Sequence, residues 1–450
     1  MRTMHGLTRK GGWSRRLVGL LAAMILLPAA AQAGIMGEEG ANFALSAKEG
    51  YVATPDGASI YSWGYAVDLV DGVTKAGVMQ FPGPTLIVTE GDNITVTLTN
   101  VLPAAAGNVS IVFPGHEVST AGGAAGLLTA EATPGGTVTY SFTASRPGTF
   151  LYHSGTRSDL QVEMGLVGAL IVRPRIPVAC AAGTTGTPAY NNPNTCYDDE
   201  FLFLLSEIDI DVHQAVESQI GAGTPVNVPT NPYESEYWFI NGRCAPDTMA
   251  EPGTTVLAHQ PYDAMPFMNP GDRILMRLIG GGRQLHPFHH HGNHSRVIAR
   301  DAHLLVNGAG DLVGPSVFTI TSVPGGTADA IFEWTGRGLG WDIYGHAAGD
   351  GSTCSPDAGG YDVTTREWCA DHTKPLPVQL PADQVLTFGG FWSGSPFLGT
   401  PGTLPPGEGG LNPSGGFTYM WHSHTERELI NNDIFPGGMM TMLVINPPGL

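Results

Sequence analysis

The stretch Leu285–His294 reads Leu-His-Pro-Phe-His-His-His-Gly-Asn-His and holds five of the 15 histidines in a chain of 450 residues. Neutral imidazole is the commonest protein metal ligand and suits copper, zinc, iron and nickel. Successive strand side chains point to opposite faces, so we expect His289 and His291 to share a face and His290 to point away. The pair His422 and His424 repeats this spacing downstream. Four imidazoles on facing strands would form a metal site; the alternative is a polar seam that binds nothing.

Two segments repeat one pattern of turn, strand and late histidine. In the first, a turn at 90–93 precedes apolar residues at 94, 96 and 98, and the segment ends near His153. In the second, a turn at 270–273 precedes apolar residues at 274, 276 and 278, and the segment ends near His422. Alternation with period two is typical of a half-buried strand. The internal repeat predicts two similar β-sandwich domains.

The two copies differ in length, because the Gly91–His153 span is less than half of the Gly271–His422 span. We place the extra residues at 336–416, a stretch rich in glycine, proline, serine and aspartate. Long insertions in surface loops cost little stability and often carry function, so a lid, a contact surface and a passive loop all fit. His346 is interpreted as a residue of this loop. The predicted domains are 42–175 and 197–450, joined by a linker at 176–196.

The composition favours many short strands joined by turns, since the chain has 62 glycines, 35 prolines and only 14% charged residues. The net charge of −19 argues against nucleic acid or an anionic membrane as a partner.

The first 33 residues are typical of a signal peptide. Basic residues precede an apolar run at 17–27, and Ala31-Gln32-Ala33 forms a cleavage site. The apolar run is too short to serve as a membrane anchor of the mature chain, and no later segment looks transmembrane. We therefore expect a secreted, periplasmic or cell-surface protein. The pair Arg15-Arg16 leaves both the general and the twin-arginine export routes open.

Five cysteines fit an oxidising compartment. Cys180 and Cys196 bracket one loop and Cys354 and Cys369 bracket another, so we predict two local disulfides. Cys244 is left over, as either a thiolate ligand or a buried free thiol.

Six phrases, in order along the mature chain, resemble the multicopper oxidases, which are built from cupredoxin domains. They are FPGPT at 81–85, GTFLYHS at 148–154, FING at 239–242, PGD at 270–272, HPFHHHG at 286–292 and GGMMT at 437–441. Two copies instead of three resemble the two-domain, laccase-like branch. The resemblance implies an all-β fold of two cupredoxin-like Greek-key sandwiches, the second with the long insertion, and copper as cofactor.

The family uses four histidine motifs for a trinuclear copper cluster, and the resemblance assigns their positions. The first motif falls at 112–114 and lacks histidine, although His116 lies just beyond. The second keeps His153, with Gly155 at the partner position. The third is intact and implies His289 as a type 2 ligand and His291 as a type 3 ligand. The fourth keeps both histidines, at 422 and 424.

The type 1 copper, which takes electrons from substrate, needs two histidines and one cysteine in this family. His286 keeps one of these positions, whereas Ser423 replaces the cysteine and Glu428 replaces the second histidine. A blue copper site depends on a Cu–thiolate bond that a hydroxyl cannot replace, so we expect the usual electron entry to be absent. Glu428 and His286 could form a mixed metal site with Ser423, or the pocket could be a relic held by hydrogen bonds.

The expected metal ligands are therefore six histidines, with three further candidates. They are His289, His291, His422, His424, His153 and His286, followed by His116, His294 and Glu428. For His294 the alternative is a solvent-facing residue beyond the strand.

Two functions remain open at this point. One is an exported copper-dependent oxidoreductase acting on metal ions or phenols, and the other is a non-catalytic copper-binding or surface-structural protein. A nitrite reductase-like enzyme fits less well, because that chemistry also needs the type 1 cysteine. The resemblance further implies a homotrimer, in which the cluster lies between the first domain of one subunit and the second domain of the next.

Overall fold

The computed structural model describes residues 34–375, 396–398 and 417–446. The predicted signal peptide at 1–33 and the insertion residues 376–395 and 399–416 lie outside the described residues.

Ten strands and one short helix build the first sandwich. They are β1 (Glu38–Glu39), β2 (Asn42–Ala53), β3 (Ser59–Val70), β4 (Val73–Thr74), β5 (Gly83–Thr89), β6 (Asn93–Asn100), β7 (Ser119–Gly122), β8 (Thr137–Thr143), β9 (Gly148–His153), α1 (Ser158–Gln161) and β10 (Val167–Arg173). One sheet has the order β1-β5-β10-β9 and the other β4-β3-β2-β6-β8-β7. In β6, Ile94, Val96 and Leu98 are buried and alternate with half-buried threonines, as the sequence predicts.

A connecting segment and a second sandwich follow. Their elements are β11 (Thr187–Pro188), β12 (Cys196–Tyr197), β13 (Asp199–Ile208), α2 (Ile210–Gly221), β14 (Tyr237–Ile240), β15 (Phe267–Met268), β16 (Arg273–Gly280), β17 (His286–His290), β18 (Ser295–Arg300), β19 (His303–Leu304), β20 (Ser316–Val317), β21 (Thr319–Ser322), β22 (Thr327–Glu333), β23 (Tyr361–Asp362), β24 (Glu367–Trp368), β25 (Pro396–Leu398), β26 (Phe417–Ser423) and β27 (Met440–Ile445). Short 3-10 turns lie at Ala104–Ala106, Pro193–Thr195, Asp247–Met249, Thr255–Leu257, Cys369–Asp371 and Glu426–Leu429.

The second sandwich also pairs two sheets. One has the order β14-β13-β16-β22-β18-β19, with β20 beside β18, and the other β15-β27-β26-β17-β21, with β25 beside β26. Its core is aromatic and aliphatic, with Trp421, Phe288 and Phe332 packed together. The predicted all-β class is confirmed, although the positions of the domain boundaries stay a prediction.

The strand β16 differs from its counterpart β6 because both of its faces are buried. The second face packs against β9 of the first sandwich, and Arg277 there is fully buried. Its guanidinium donates to Glu200 Oε2 at 2.8 Å and to Thr149 Oγ1 at 3.0 Å. Asp329 accepts from Thr149 at 2.6 Å and also from Tyr190. Arg173 of the first sandwich also pairs with Glu200 at 2.6 Å, so a buried network of ion pairs and hydrogen bonds joins the two sandwiches.

The helix α2 has 12 residues and is the main departure from the strand-rich prediction. It begins at a side-chain cap, where Asp209 Oδ1 accepts from the Val212 amide at 3.3 Å. Val212 and Val216 are buried against the first core, which fixes the helix beside β3. Among the described residues, no helix has the length and apolar character needed to cross a membrane.

Both predicted disulfides are present, Cys180–Cys196 and Cys354–Cys369. Cys244 is a free thiol, fully buried in an apolar cluster with Phe81 and Phe239. Burial raises the pKa of this thiol well above its usual value, which disfavours the thiolate form that metals bind.

Candidate metal centre

Two neighbouring strands bring the His-x-His pairs together. β17 and β26 run antiparallel, with His289 directly opposite His422 and His290 opposite Trp421. Side chains of residues opposite each other stand on the same face, within reach of one another. His291 and His424 lie two residues beyond this pair, one on each chain segment, so the alternation of the strands directs all four imidazoles to one face.

The four rings form one cluster. Ring centroids are 4.7 Å apart for His289 and His291, 5.4 Å for His289 and His422, 5.0 Å for His289 and His424, and 5.2 Å for His291 and His422. Ring nitrogens of His289, His291 and His422 all lie within 4.8 Å of one another. The Nε2 atoms of His291 and His422 are 3.2 Å apart. At this spacing, three imidazoles can bind one metal ion.

Contacts on the far ring nitrogens fix the orientation of these rings. The Nδ1–H of His422 donates to the Ser423 carbonyl at 2.7 Å, so its Nε2 offers a lone pair. His289 Nδ1 is 2.9 Å from the hydroxyl of Thr319, the residue opposite it on β21. Its Nε2 is buried without a hydrogen-bond partner among the residues the structure describes. Such outer contacts are typical of metal-ligating histidines.

Three of the four imidazoles, those of His289, His291 and His422, have lowered pKa values, which favours their neutral form at physiological pH. Burial, followed by the charges of His422 and His424, lowers the pKa of His289 to about 4. Burial and neighbouring imidazoles lower the pKa of His291 to about 2, and burial also lowers the pKa of His422. A metal ion binds the unprotonated ring, so these shifts keep the nitrogens available. His424 lies at the rim, with a side chain 48% exposed.

His290 points the other way, into the core of the second sandwich, as the alternation predicts. It packs against Phe332 and Trp421, and its Nε2 accepts from the Ser295 amide at 3.2 Å. Its role in the described structure is packing.

His153 comes from the first sandwich. It ends β9, bridges to Val112, and donates from Nδ1 to the Ser154 carbonyl at 2.9 Å. The group of ring nitrogens within 4.8 Å of one another at this centre consists, for the described residues, of second-sandwich histidines. His153 therefore stands apart from the three nitrogens that converge most closely.

Two further candidates lie against aromatic rings. His116 packs between Phe142 and Phe150, at centroid distances of 4.7 and 4.5 Å, and burial lowers its pKa to about 4. His294 stands edge-on to Phe318 at 5.3 Å.

His286 occupies a different environment, clamped between two buried carboxylates. Its Nδ1 is 2.9 Å from Glu428 Oε2 and its Nε2 is 2.8 Å from Glu207 Oε2. Burial opposes protonation, but the hydrogen bonds to Glu207 and Glu428 prevail and raise the pKa of His286 to about 9. Ser423 Oγ accepts from the Thr425 amide at 3.2 Å. Both ring nitrogens of His286 are thus occupied by hydrogen bonds.

Glu207 is a residue that the sequence analysis missed. It lies on β13, in a strand without a recognisable motif, and its Oε1 also accepts from the amides of Arg283 and Gln284. Only the folded strand order brings it to His286.

Comparisons with known proteins agree with this architecture. A family model described as multicopper oxidase matches residues 71–176. Over 117 residues the chain is 39% identical to an L-ascorbate oxidase of Brassica rapa subsp. pekinensis, covering 25% of this chain and 19% of that protein. Over 123 residues it is 40% identical to a copper-containing nitrite reductase of Alcaligenes xylosoxydans xylosoxydans, covering 25% of this chain and 34% of that protein. The matches therefore span only a fifth to a third of these relatives.

Solved structures extend the likeness to nearly the whole chain. A multicopper oxidase named mgLAC superposes with a TM-score of 0.52 at 17% identity, covering 92% of this chain and 87% of that one. A blue copper oxidase from Nitrosomonas europaea gives a TM-score of 0.51 at 19% identity, covering 90% and 86%. At this identity the likeness shows the fold. The chain is therefore similar in fold to multicopper oxidases over nearly its whole length, and its residues 71–176 match the multicopper oxidase family model.

Proposed function

We propose that the protein is an exported, copper-binding oxidoreductase of this family that works without a type 1 copper. The observation that supports it most is the convergence of His289, His291, His422 and His424 on one face of the second sandwich. These four would hold the copper, and His153 would add a ligand from the first sandwich or from a neighbouring subunit.

The residues at the centre suit copper. They are imidazoles, which copper accepts readily, and the lowered pKa values of His289, His291 and His422 favour the neutral ring that a metal ion binds. The buried Nε2 of His289 has no hydrogen-bond partner among the residues that the structure describes, which leaves its lone pair for a metal ion. When bound, copper supplies one-electron redox chemistry.

The protein contributes orientation and access. Thr319 and the Ser423 carbonyl hold two of the rings, and the Trp421 indole donates to the His291 carbonyl at 2.9 Å. The exposed edge of His424 leaves the centre open to a small molecule. A metal ion or a phenol, the substrates that the family resemblance suggests, would therefore exchange electrons directly at this centre.

A second candidate is a non-catalytic copper-binding protein. The clamp of Glu207, His286 and Glu428 favours it, because hydrogen bonds occupy the position from which electrons would otherwise enter.

Oxygen consumption separates these two functions. The copper-loaded full chain is supplied with a phenol or with Fe²⁺, and the rate is compared with that of His422→Ala and of a control, His303→Ala, on the exposed β19. If the protein is an oxidoreductase, the rate of oxygen consumption falls in His422→Ala and is unchanged in the control His303→Ala. Copper bound in full with no turnover of either reductant would leave the non-catalytic function.

A further inference from the structure

The insertion contains a second group of metal-ligating side chains, far from the His-x-His motifs in sequence. Asp342, His346, Glu367 and His372 bring one ligand atom each within 4.8 Å of the others. The first two lie on the loop after β22, Glu367 lies on β24, and His372 follows the turn that ends at Asp371. The sequence analysis interpreted His346 as a loop residue only.

Two of the contacts within this group are hydrogen bonds, Asp342 with His346 and Glu367 with His372, and two are longer. Asp342 Oδ2 is 3.1 Å from His346 Nδ1 and 3.5 Å from His372 Nδ1. Glu367 places Oε1 2.5 Å from His372 Nδ1 and Oε2 3.8 Å from His346 Nδ1. Zinc bonds of about 2.0–2.2 Å put tetrahedral ligand atoms roughly 3.3–3.6 Å apart. The distances between the carboxylate oxygens and the ring nitrogens thus lie on both sides of the ligand spacing that a tetrahedral ion requires.

One atom of the group points into this space with nothing to satisfy it. Glu367 has a side chain only 2% exposed, and its Oε2 is buried without a hydrogen-bond partner in the described part of the chain. A buried carboxylate oxygen without a hydrogen bond is costly, and a cation would remove that cost.

Outer contacts orient the ligands in the way that metal sites require. Asp342, whose side chain is fully buried, accepts through Oδ1 from the amides of Tyr344 and Gly345 at 2.8 and 3.0 Å. His372 presents Nδ1 to the group while its Nε2 lies 3.4 Å from the Ser352 hydroxyl. Such second contacts fix ring and carboxylate orientation before the ion arrives.

We propose that Asp342, His346, Glu367 and His372 form a structural site for a divalent cation of the zinc class. Two imidazoles exclude magnesium and calcium as the preferred ions, and the four protein ligands close the shell as in structural zinc sites. The two carboxylates balance the charge of the ion. Together with the Cys354–Cys369 disulfide, the ion cross-links the 336–375 part of the insertion. This proposal is independent of copper binding at the His289 centre.

The test measures zinc bound per chain in the full-length protein carrying His291→Ala and His422→Ala, so that the other centre does not take up the ion. Chelator-stripped protein is given Zn²⁺ and freed of excess by gel filtration. We expect about one zinc ion per chain. Glu367→Gln keeps the size of the side chain and removes its charge. This variant and His372→Ala should both lose the bound zinc. Their zinc affinity should fall by more than the roughly 10–100-fold that is typical when a residue hydrogen-bonded to a metal ligand is removed.

Matched controls are Glu251→Gln and His303→Ala, both exposed, which should keep the zinc. Near-UV circular dichroism of Glu367→Gln reports whether the fold is retained. Equal zinc in Glu367→Gln and its parent, or no zinc in the parent, would overturn the proposal and leave a hydrogen-bonded cluster. A parent chain that takes Cu²⁺ but not Zn²⁺ at this group would also overturn it.

Discussion

The family resemblance assigns Ser423 and Glu428 to the positions of a copper-binding cysteine and histidine, and both residues lie next to His286 or its strand in the fold. Glu428 forms a hydrogen bond with His286, and Glu207 closes the other side of the ring. Ser423 offers a hard hydroxyl at the position where the resemblance implies a soft thiolate, and blue copper depends on that thiolate.

We therefore predict that the copper-loaded protein lacks the intense visible absorption of a thiolate–copper site. Ser423→Cys alone should not produce it, because Glu428 still occupies the second ligand position. Absorption and EPR spectra of both proteins check this. A strongly blue wild-type protein would mean that another thiol, Cys244, reaches the copper.

The His286 clamp also predicts a pH dependence of stability. The folded pKa of about 9 lies above the ordinary value of 6.5, so the folded state binds the proton more tightly. The resulting stabilisation, at most about 3 kcal/mol, is complete below about pH 6.5 and is lost as pH rises through about 9. Urea unfolding at about pH 6 and about pH 9.5 measures it. In His286→Gln, whose side chain cannot titrate, this contribution to the difference in unfolding free energy between the two pH values should disappear. An unchanged difference in His286→Gln would show that other groups cause it.

At the scale of elements, the pairing of β17 with β26 is what makes a metal centre from two short motifs. The sequence predicts which histidines share a face, because strand alternation is local and the spacing in each pair is two. The repeat of turn and strand likewise indicates two sandwiches. The sequence does not reveal Glu207 or Thr319, since each comes from a strand far away along the chain. Nor does it reveal the Asp342 group, whose insertion has no regular period.

At the scale of the whole molecule, the two sandwiches share a buried ionic network centred on Arg277. The alternating sequence of β16 predicts a strand with one buried face. It cannot reveal that the other face is buried too, because that face is covered only when β9 of the first sandwich packs on it. The homotrimer stays a prediction. It would bring His153 of one subunit close to the second sandwich of the next.

Replacing Arg277 with methionine should leave Asp329 buried without its cation and Glu200 with Arg173 as its remaining cationic partner. Breaking a buried pair in this way costs about 3–5 kcal/mol, so we expect a loss of unfolding free energy of that order. Chemical denaturation measures it, with the exposed Arg296→Met as control. A loss no larger than that of the control would mean that the network contributes little to joining the sandwiches.

Whether the histidines of β17 and β26 hold the copper is measured as copper bound per chain after dialysis. The proteins compared are wild type, His291→Ala, His422→Ala and His153→Ala. The three second-sandwich nitrogens converge without help from the first sandwich. We therefore expect His291→Ala and His422→Ala to lose most of the copper, whereas His153→Ala loses only part of it. Equal copper in all four proteins would mean that the metal is bound elsewhere and that these histidines are not its ligands.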